Sequence, residues 1–203
     1  MLAIIATSSL SAHRRDEYLQ AARIAVGPDR VRIELDLTPG MAVADAVIGG
    51  IDTDRSGVIS PAEAQAYAAI VRQAVRLDLD AAPLAVYLSA TTFPDVAAMR
   101  SGEGPIRLTL TGVLPPLAAG RHALRYRNAH RADIGVYLAN ALVPDDPRVA
   151  ITGQRRDLTQ RELIVDYDLH PSPPGSGLVP FAASVTVAVL VLAALAWRRR
   201  RIA

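Results

Sequence analysis

Arg30-Val-Arg-Ile-Glu-Leu-Asp-Leu37 alternates polar and apolar side chains without a break. Successive side chains of an extended chain point to opposite faces, so this is the pattern of a strand with one buried face. From Arg23 onward the chain turns to strands, and further extended runs are expected at 77–80, 84–91, 106–114, 122–127, 134–143, 149–155 and 161–169. Gly102-Glu-Gly-Pro105, Pro115-Pro116, Ala119-Gly120 and Pro144-Asp-Asp-Pro147 separate several of them. Short strands at this spacing predict a sandwich. Only the region between the first strand and residue 77 has a different period. There Ala44, Val47, Ile48 and Ile51 share one helical face, and Tyr67, Ile70, Val71, Ala74 and Val75 share another. Helices are expected over 41–51, with Thr38 as cap and Pro39 at the first position, and over 64–76.

Between these two helices lies Asp52-Thr-Asp54-Arg-Ser56-Gly57-Val58-Ile59-Ser60-Pro61-Ala-Glu63. Oxygen-bearing side chains at alternate positions aim at one point, and Gly57 permits a sharp turn. The Val58 carbonyl offers a backbone oxygen, and Glu63 can close the shell with two more. Part of this pattern has a second explanation. Ser60-Pro61-Ala62-Glu63 is also a good helix start in any protein, with a Ser cap, Pro at the first position and Glu at the third. The discriminating half is therefore Asp52, Asp54, Ser56 and Gly57.

Over residues 41–76 the chain resembles the EF-hand calcium-binding superfamily. The resemblance implies a Ca2+ site with Asp52, Asp54, Ser56, Ser60 and Glu63 as side-chain ligands, Ser60 acting through water, and Val58 as carbonyl ligand. Ser56 stands where Asp or Asn is usual, leaving three carboxylates. Gly49-Gly50 weakens the last turn of the entering helix by about 1 kcal/mol per Gly relative to Ala. No second loop accompanies Ile59, since Asp78-Leu-Asp80 and Asp145-Asp146 lack the Gly and the closing Glu. These departures predict a modest dissociation constant of about 10⁻⁴ to 10⁻³ M, in the range of extracellular modules. An apolar run ending in Asp-x-Asp is similar also to the nucleophile strand of haloacid-dehalogenase-type phosphatases. Those enzymes usually need a later Lys, sometimes Arg, to hold the phosphate, and a Rossmann-like alternation; this sequence has no Lys and its later part reads as β-rich.

Composition narrows the chemistry. All 22 basic residues are arginine, so a lysine amine is excluded, and the absence of Cys excludes thiolate chemistry and disulfides. The formal net charge is +2, and subtracting the block Arg198 to Arg201 leaves +2 − 4 = −2 for the rest. The excess of positive charge is thus a tail and not a nucleic-acid surface.

The ends of the chain suggest its setting. Residues 1–12 are apolar, then small, like a truncated signal sequence without a charged start or simply an apolar N-terminus. Residues 13–170 form the expected ectodomain, with the EF-hand-like insertion at 39–76. Pro171-Ser-Pro-Pro-Gly-Ser-Gly177 is a linker. Residues 178–197 are apolar apart from Pro180, Ser184 and Thr186, and end at Trp197 before four arginines. About 20 apolar residues match the hydrocarbon thickness of a bilayer, and arginines favour the cytoplasmic side. Residues 198–203 would then be a cytoplasmic tail.

The expected fold is therefore α+β: a β-rich, sandwich-like ectodomain with an inserted helix–loop–helix and one C-terminal transmembrane helix. The expected function is that of a bacterial-type, single-span, extracytoplasmic calcium-binding protein with a binding role. Its calcium is structural, and its partners are the bilayer and a membrane protein. One alternative is an accessory protein of transition-metal uptake of the nickel or cobalt type, in which a cleaved terminus beside His13 would hold metal. His13-Arg-Arg-Asp-Glu-Tyr-Leu-Gln20, Leu35-Asp-Leu-Thr-Pro39 and the loop, in that order, resemble the outward N-terminal domain of hydrogenase/urease-accessory-type bacterial membrane proteins. Another alternative is an exported hydrolase with no recognisable motif. His13, His122, His130 and His170 lack ligand spacing and read as scattered surface residues. Asp166 and Asp168, like Arg121, Arg125 and Arg127, read as solvated strand faces.

Overall fold

The computed structural model describes residues 16–172. The elements follow in the order β1 (Tyr18–Val26), β2 (Arg30–Pro39), α1 (Ala44–Ile48), α2 (Pro61–Ala74), β3 (Val75–Leu79), β4 (Ala82–Pro83), β5 (Val86–Thr92), α3 (Val96–Ser101), β6 (Ile106–Val113), β7 (Gly120–Asn128), β8 (Gly135–Ala141), β9 (Val149–Arg156) and β10 (Glu162–Leu169). They build two five-stranded sheets, one in the order β5-β6-β2-β1-β8 and one in the order β4-β3-β7-β10-β9. The β-rich, two-sheet architecture expected from the sequence is present.

The alternation of β2 does what its pattern requires. Val31, Ile33, Leu35 and Leu37 are fully buried, while Arg32, Glu34 and Asp36 lie on the other face, where Glu34 and Asp36 pair with Arg23 of β1 and Arg32 pairs with Glu34. Antiparallel partners on both sides, β1 and β6, make β2 the central strand of its sheet. The second sheet sends Leu77, Leu124, Tyr126, Leu163, Val165 and Tyr167 into the same core. The sheets approach closely at Gly112 of β6, where a Cβ would lie 2.6 Å from the Leu77 side chain.

β8 runs parallel to β1 and is an edge strand. Its backbone is not left open. Arg156 of β9 donates to the Ala139 carbonyl at 2.8 Å, and the Ala141 N–H donates to the Gln154 side chain at 3.1 Å. Side chains from the edge of one sheet thereby occupy the edge of the other, which restricts further strand pairing.

Several boundaries differ from the sequence expectation. β1 begins at Tyr18, well before Arg23, because Tyr18, Ala22 and Ile24 fill the core while Gln20 is buried among polar groups. Thr38 and Pro39 are not a helix cap. They close β2, opposite Leu19 and Tyr18, and Pro is tolerated at a strand end. The first helix is confined to Ala44–Ile48, without a side-chain cap, and Gly49-Gly50 end it. α2 stops at Ala74, because Val75 and Arg76 extend to pair with Asn128 and Arg127 of β7. Ile70 of the expected stripe faces solvent, and only Tyr67, Ala68 and Val71 of α2 are buried. α3 was not expected, although Asp95 caps it through the Ala98 N–H at 2.7 Å. The helix–loop–helix is also more than an insertion, for it carries the chain from β2 of one sheet to β3 of the other.

The N-terminal run 1–12, His13, most of the linker, the apolar segment 178–197 and the tail 198–203 lie outside the described residues. Among those described, no helix is long and apolar enough to cross a membrane.

The close approach at Gly112 is testable. Leu77 is 1% exposed and has little room to yield, so Gly112→Ala is expected to destabilise by about 1–3 kcal/mol through overpacking. Urea unfolding should show this loss, and Leu77→Val in the same background should recover part of it.

Candidate metal centre

Asp52 follows directly on Ile51, which with Ile48 is anchored in the core. This anchoring leaves the Asp52 carboxylate nearly buried at 6% exposure, although Asp54 and Ser56 are open to solvent. Asp52 accepts from the Ser56 N–H and the Gly57 N–H, each at 2.9 Å, and Asp54 accepts from the same Ser56 N–H at 2.9 Å. The two carboxylates therefore converge from one side of the loop. Gly57 has φ +79°, and a Cβ placed there would touch nothing within 4 Å. Its requirement is conformational: the left-handed turn is cheap for Gly and costs other residues about 1–2 kcal/mol.

Glu63 closes the loop from α2. One carboxylate oxygen accepts from the Thr53 N–H at 2.7 Å, and the other accepts from the Ser60 N–H at 3.0 Å and the Ser60 hydroxyl at 2.7 Å. Ser60 in turn accepts from the Glu63 N–H, completing a capping box. These bonds, led by the Ser60 hydroxyl, hold the Glu63 carboxyl down to about 2, so it is ionised at any ordinary pH.

One oxygen from each of Asp52, Asp54 and Glu63 lies within 4.8 Å of the others. Oxygens on opposite sides of a calcium ion are about 4.6–5.2 Å apart, given bond lengths of 2.3–2.6 Å. The three carboxylates are thus close enough to share one such ion, and an all-oxygen set suits a hard cation. Ser56 and Val58 lie at the same loop, where the Ser56 hydroxyl donates to the Val58 carbonyl at 3.0 Å. Ser60 is at the Glu63 end through its contacts with that carboxylate. The Ile59 side chain packs against the core.

The second helix is held by a buried polar network that the sequence did not disclose. Tyr67, one turn after Glu63, meets the Tyr18 hydroxyl at 2.9 Å and His130 Nε2 at 2.9 Å. The His130 carbonyl accepts from Gln20 at 2.7 Å and from the Tyr137 hydroxyl at 2.6 Å, and Asn128 joins Gln20 at 2.8 Å. This corrects the surface reading of His130, which is 4% exposed. Burial, aided by the Arg131 charge, pushes its imidazole down to about 4. Among the described residues, His122 and His170 do not assemble a site. His122 is bound by Asp80 at 2.8 Å on one ring nitrogen and by the Ala118 carbonyl at 2.9 Å on the other, while His170 is exposed. Arg121, Arg125 and Arg127 are exposed as expected, and Asp166 pairs with Arg155.

No protein-family model, curated protein or solved structure matches this chain.

Two measurements check this geometry. Gly57→Ala should lower stability by about 1–2 kcal/mol through backbone strain alone, with a smaller loss for Gly57→Asn. For His130, the folded value near 4 lies below an unfolded value near 6.5. The unfolded chain therefore binds the extra proton between these values, and stability is lost as pH falls through that window. Between pH 7.5 and 5 this component amounts to about 2 kcal/mol. The difference between wild type and His130→Gln in how the urea midpoint changes between the two pH values should show it, since His122, raised by its bond to Asp80, contributes with the opposite sign in both.

Proposed function

We propose that this chain is an extracytoplasmic, single-span membrane protein whose β-rich domain carries one EF-hand-type calcium site, with a binding role toward a partner in the same membrane. The observation that carries the calcium reading is the convergence of Asp52, Asp54 and Glu63 oxygens within 4.8 Å on a loop turned by Gly57. Asp52, Asp54, Ser56, Ser60 and the Val58 carbonyl would hold the ion, and Glu63 would complete its shell. Calcium would neutralise three carboxylates that otherwise face one another. The membrane reading rests on the apolar segment 178–197 and the arginines after it.

A structural role suits the site better than a switching one. In calcium sensors, two helices change their angle and expose an apolar groove. Here α1 contributes Ala44, Val47 and Ile48 to the core, and α2 contributes Tyr67, Ala68 and Val71. Opening the pair would expose that surface and break the Tyr67–His130 bond. The ion would instead fasten two elements that are already docked.

Binding to the native state alone stabilises it by about 1.4 kcal/mol when calcium is tenfold above the dissociation constant, and by about 2.7 at a hundredfold. The full chain is therefore expected to melt higher in millimolar calcium than in chelator. Asp52→Ala should abolish the difference. Isothermal titration giving sub-micromolar affinity, or an equal rise with magnesium at the same concentration, would contradict the reading.

A further inference from the structure

A cleft of about 710 Å³ opens at the corner where α2 runs into β3 and the chain later leads into β5. Four arginines line it, Arg72 from α2, Arg76 from β3, and Arg125 and Arg127 from β7, against two carboxylates, Asp78 and Glu162. The local balance is 4 − 2 = +2. Arg76 and Arg127 are direct cross-strand partners. Like charges in that position repel, so the pairing is a cost unless something negative lies between them.

Glu162 of β10 stands opposite Arg127 on the side away from Arg76, so it flanks the pair and does not lie between the two arginines. Neither Arg76 nor Arg127 forms an ion pair or side-chain hydrogen bond there. Elsewhere on the surface, Arg23, Arg30, Arg100, Arg131, Arg148 and Arg155 each have a carboxylate partner. Within the cleft, Arg125 reaches Glu162 only at 3.8 Å. Arg72 spends one N–H on the Val86 carbonyl at 3.3 Å, which pins its guanidinium at the rim with other donors free. Guanidinium forks match the geometry of carboxylates and phosphates, and the volume falls in the range of small-molecule sites, about 300–1,000 Å³.

We propose that this cleft binds a small, free, doubly charged oxyanion, a dicarboxylate or a phosphate, between Arg76 and Arg127, with Arg72 closing one side. The two anionic charges match the local excess. The site lies at the C-terminal end of α2, so it is separate from the calcium loop at the other end of that helix and does not depend on it.

The test uses the full chain in neutral detergent with chelator present, titrated with succinate and with inorganic phosphate at an ionic strength fixed by sodium chloride. Saturable binding of at least one anion and a higher melting temperature are expected. Arg127→Gln should weaken binding about tenfold or more, as loss of a charge-assisted bond implies. Arg121→Gln, on the same strand but outside the cleft, should bind as the wild type does. Without anion, Arg127→Gln loses both the repulsion from Arg76 and the attraction of Glu162, so it should melt close to wild type. Should that variant fail to fold, Arg76→Gln replaces it. An equal shift from sodium chloride alone, equal binding by Arg127→Gln, or a response only to phosphatidylglycerol nanodiscs and to neither free anion would overturn the proposal.

Discussion

The Tyr67 hydroxyl, held between Tyr18 and His130 inside the domain, is the interaction on which the arrangement of the helical segment depends. A buried polar group without a partner costs about 1–3 kcal/mol, so these groups must find one another for the core to close. Tyr18 belongs to one sheet, Tyr67 to the crossing helix, and His130 follows directly on the other sheet. One hydrogen-bonded chain therefore locates all three. Gln20, Asn128 and Tyr137 extend it by satisfying the backbone and side chains around His130.

That constraint reaches the candidate calcium loop by covalent connection. Tyr67 lies one helical turn from Glu63, so fixing Tyr67 fixes the end of the loop that closes the oxygen cluster. The opposite end is fixed by Ile48 and Ile51 in the apolar core. Held at both ends, the loop keeps Asp52 and Glu63 at a set separation. Preorganisation of this kind lowers the ordering cost of binding, whereas the exposed middle of the loop, from Thr53 to Val58, remains in water. Ile59, near the end of the loop, packs against the same core.

Legibility followed the range of the interactions. The strands of strict alternation were readable, because a half-buried sheet imposes period 2 on every residue. The capping box at Ser60 and Glu63 was readable for the same local reason, since it spans a single turn. Thr38-Pro39 misled because the same dipeptide suits a helix start and a strand end, and pairing with β1 selected the second. Met41 to Val43 and Gly49 to Ile51 carry a helical pattern, but the helix begins without a side-chain cap and Gly49-Gly50 end it. His130 was misread because nothing in Ala129-His130-Arg131 announces burial; its partners are distant in sequence, at Gln20 and Tyr67.

The sequence by itself determined the β-rich class, the position of the helical crossover, the oxygen-bearing loop from Asp52 to Glu63 and the chemistry that is excluded by the absence of Cys and Lys. Each follows from residue identity or from spacing within a few positions. Tertiary structure decided which strands share a sheet, that the crossover joins the two sheets, that His130 is buried, and that Arg76 lies beside Arg127 in the wall of a cleft. Those outcomes depend on pairing between segments far apart in the chain, and only the closure of a common core selects one pairing over the others.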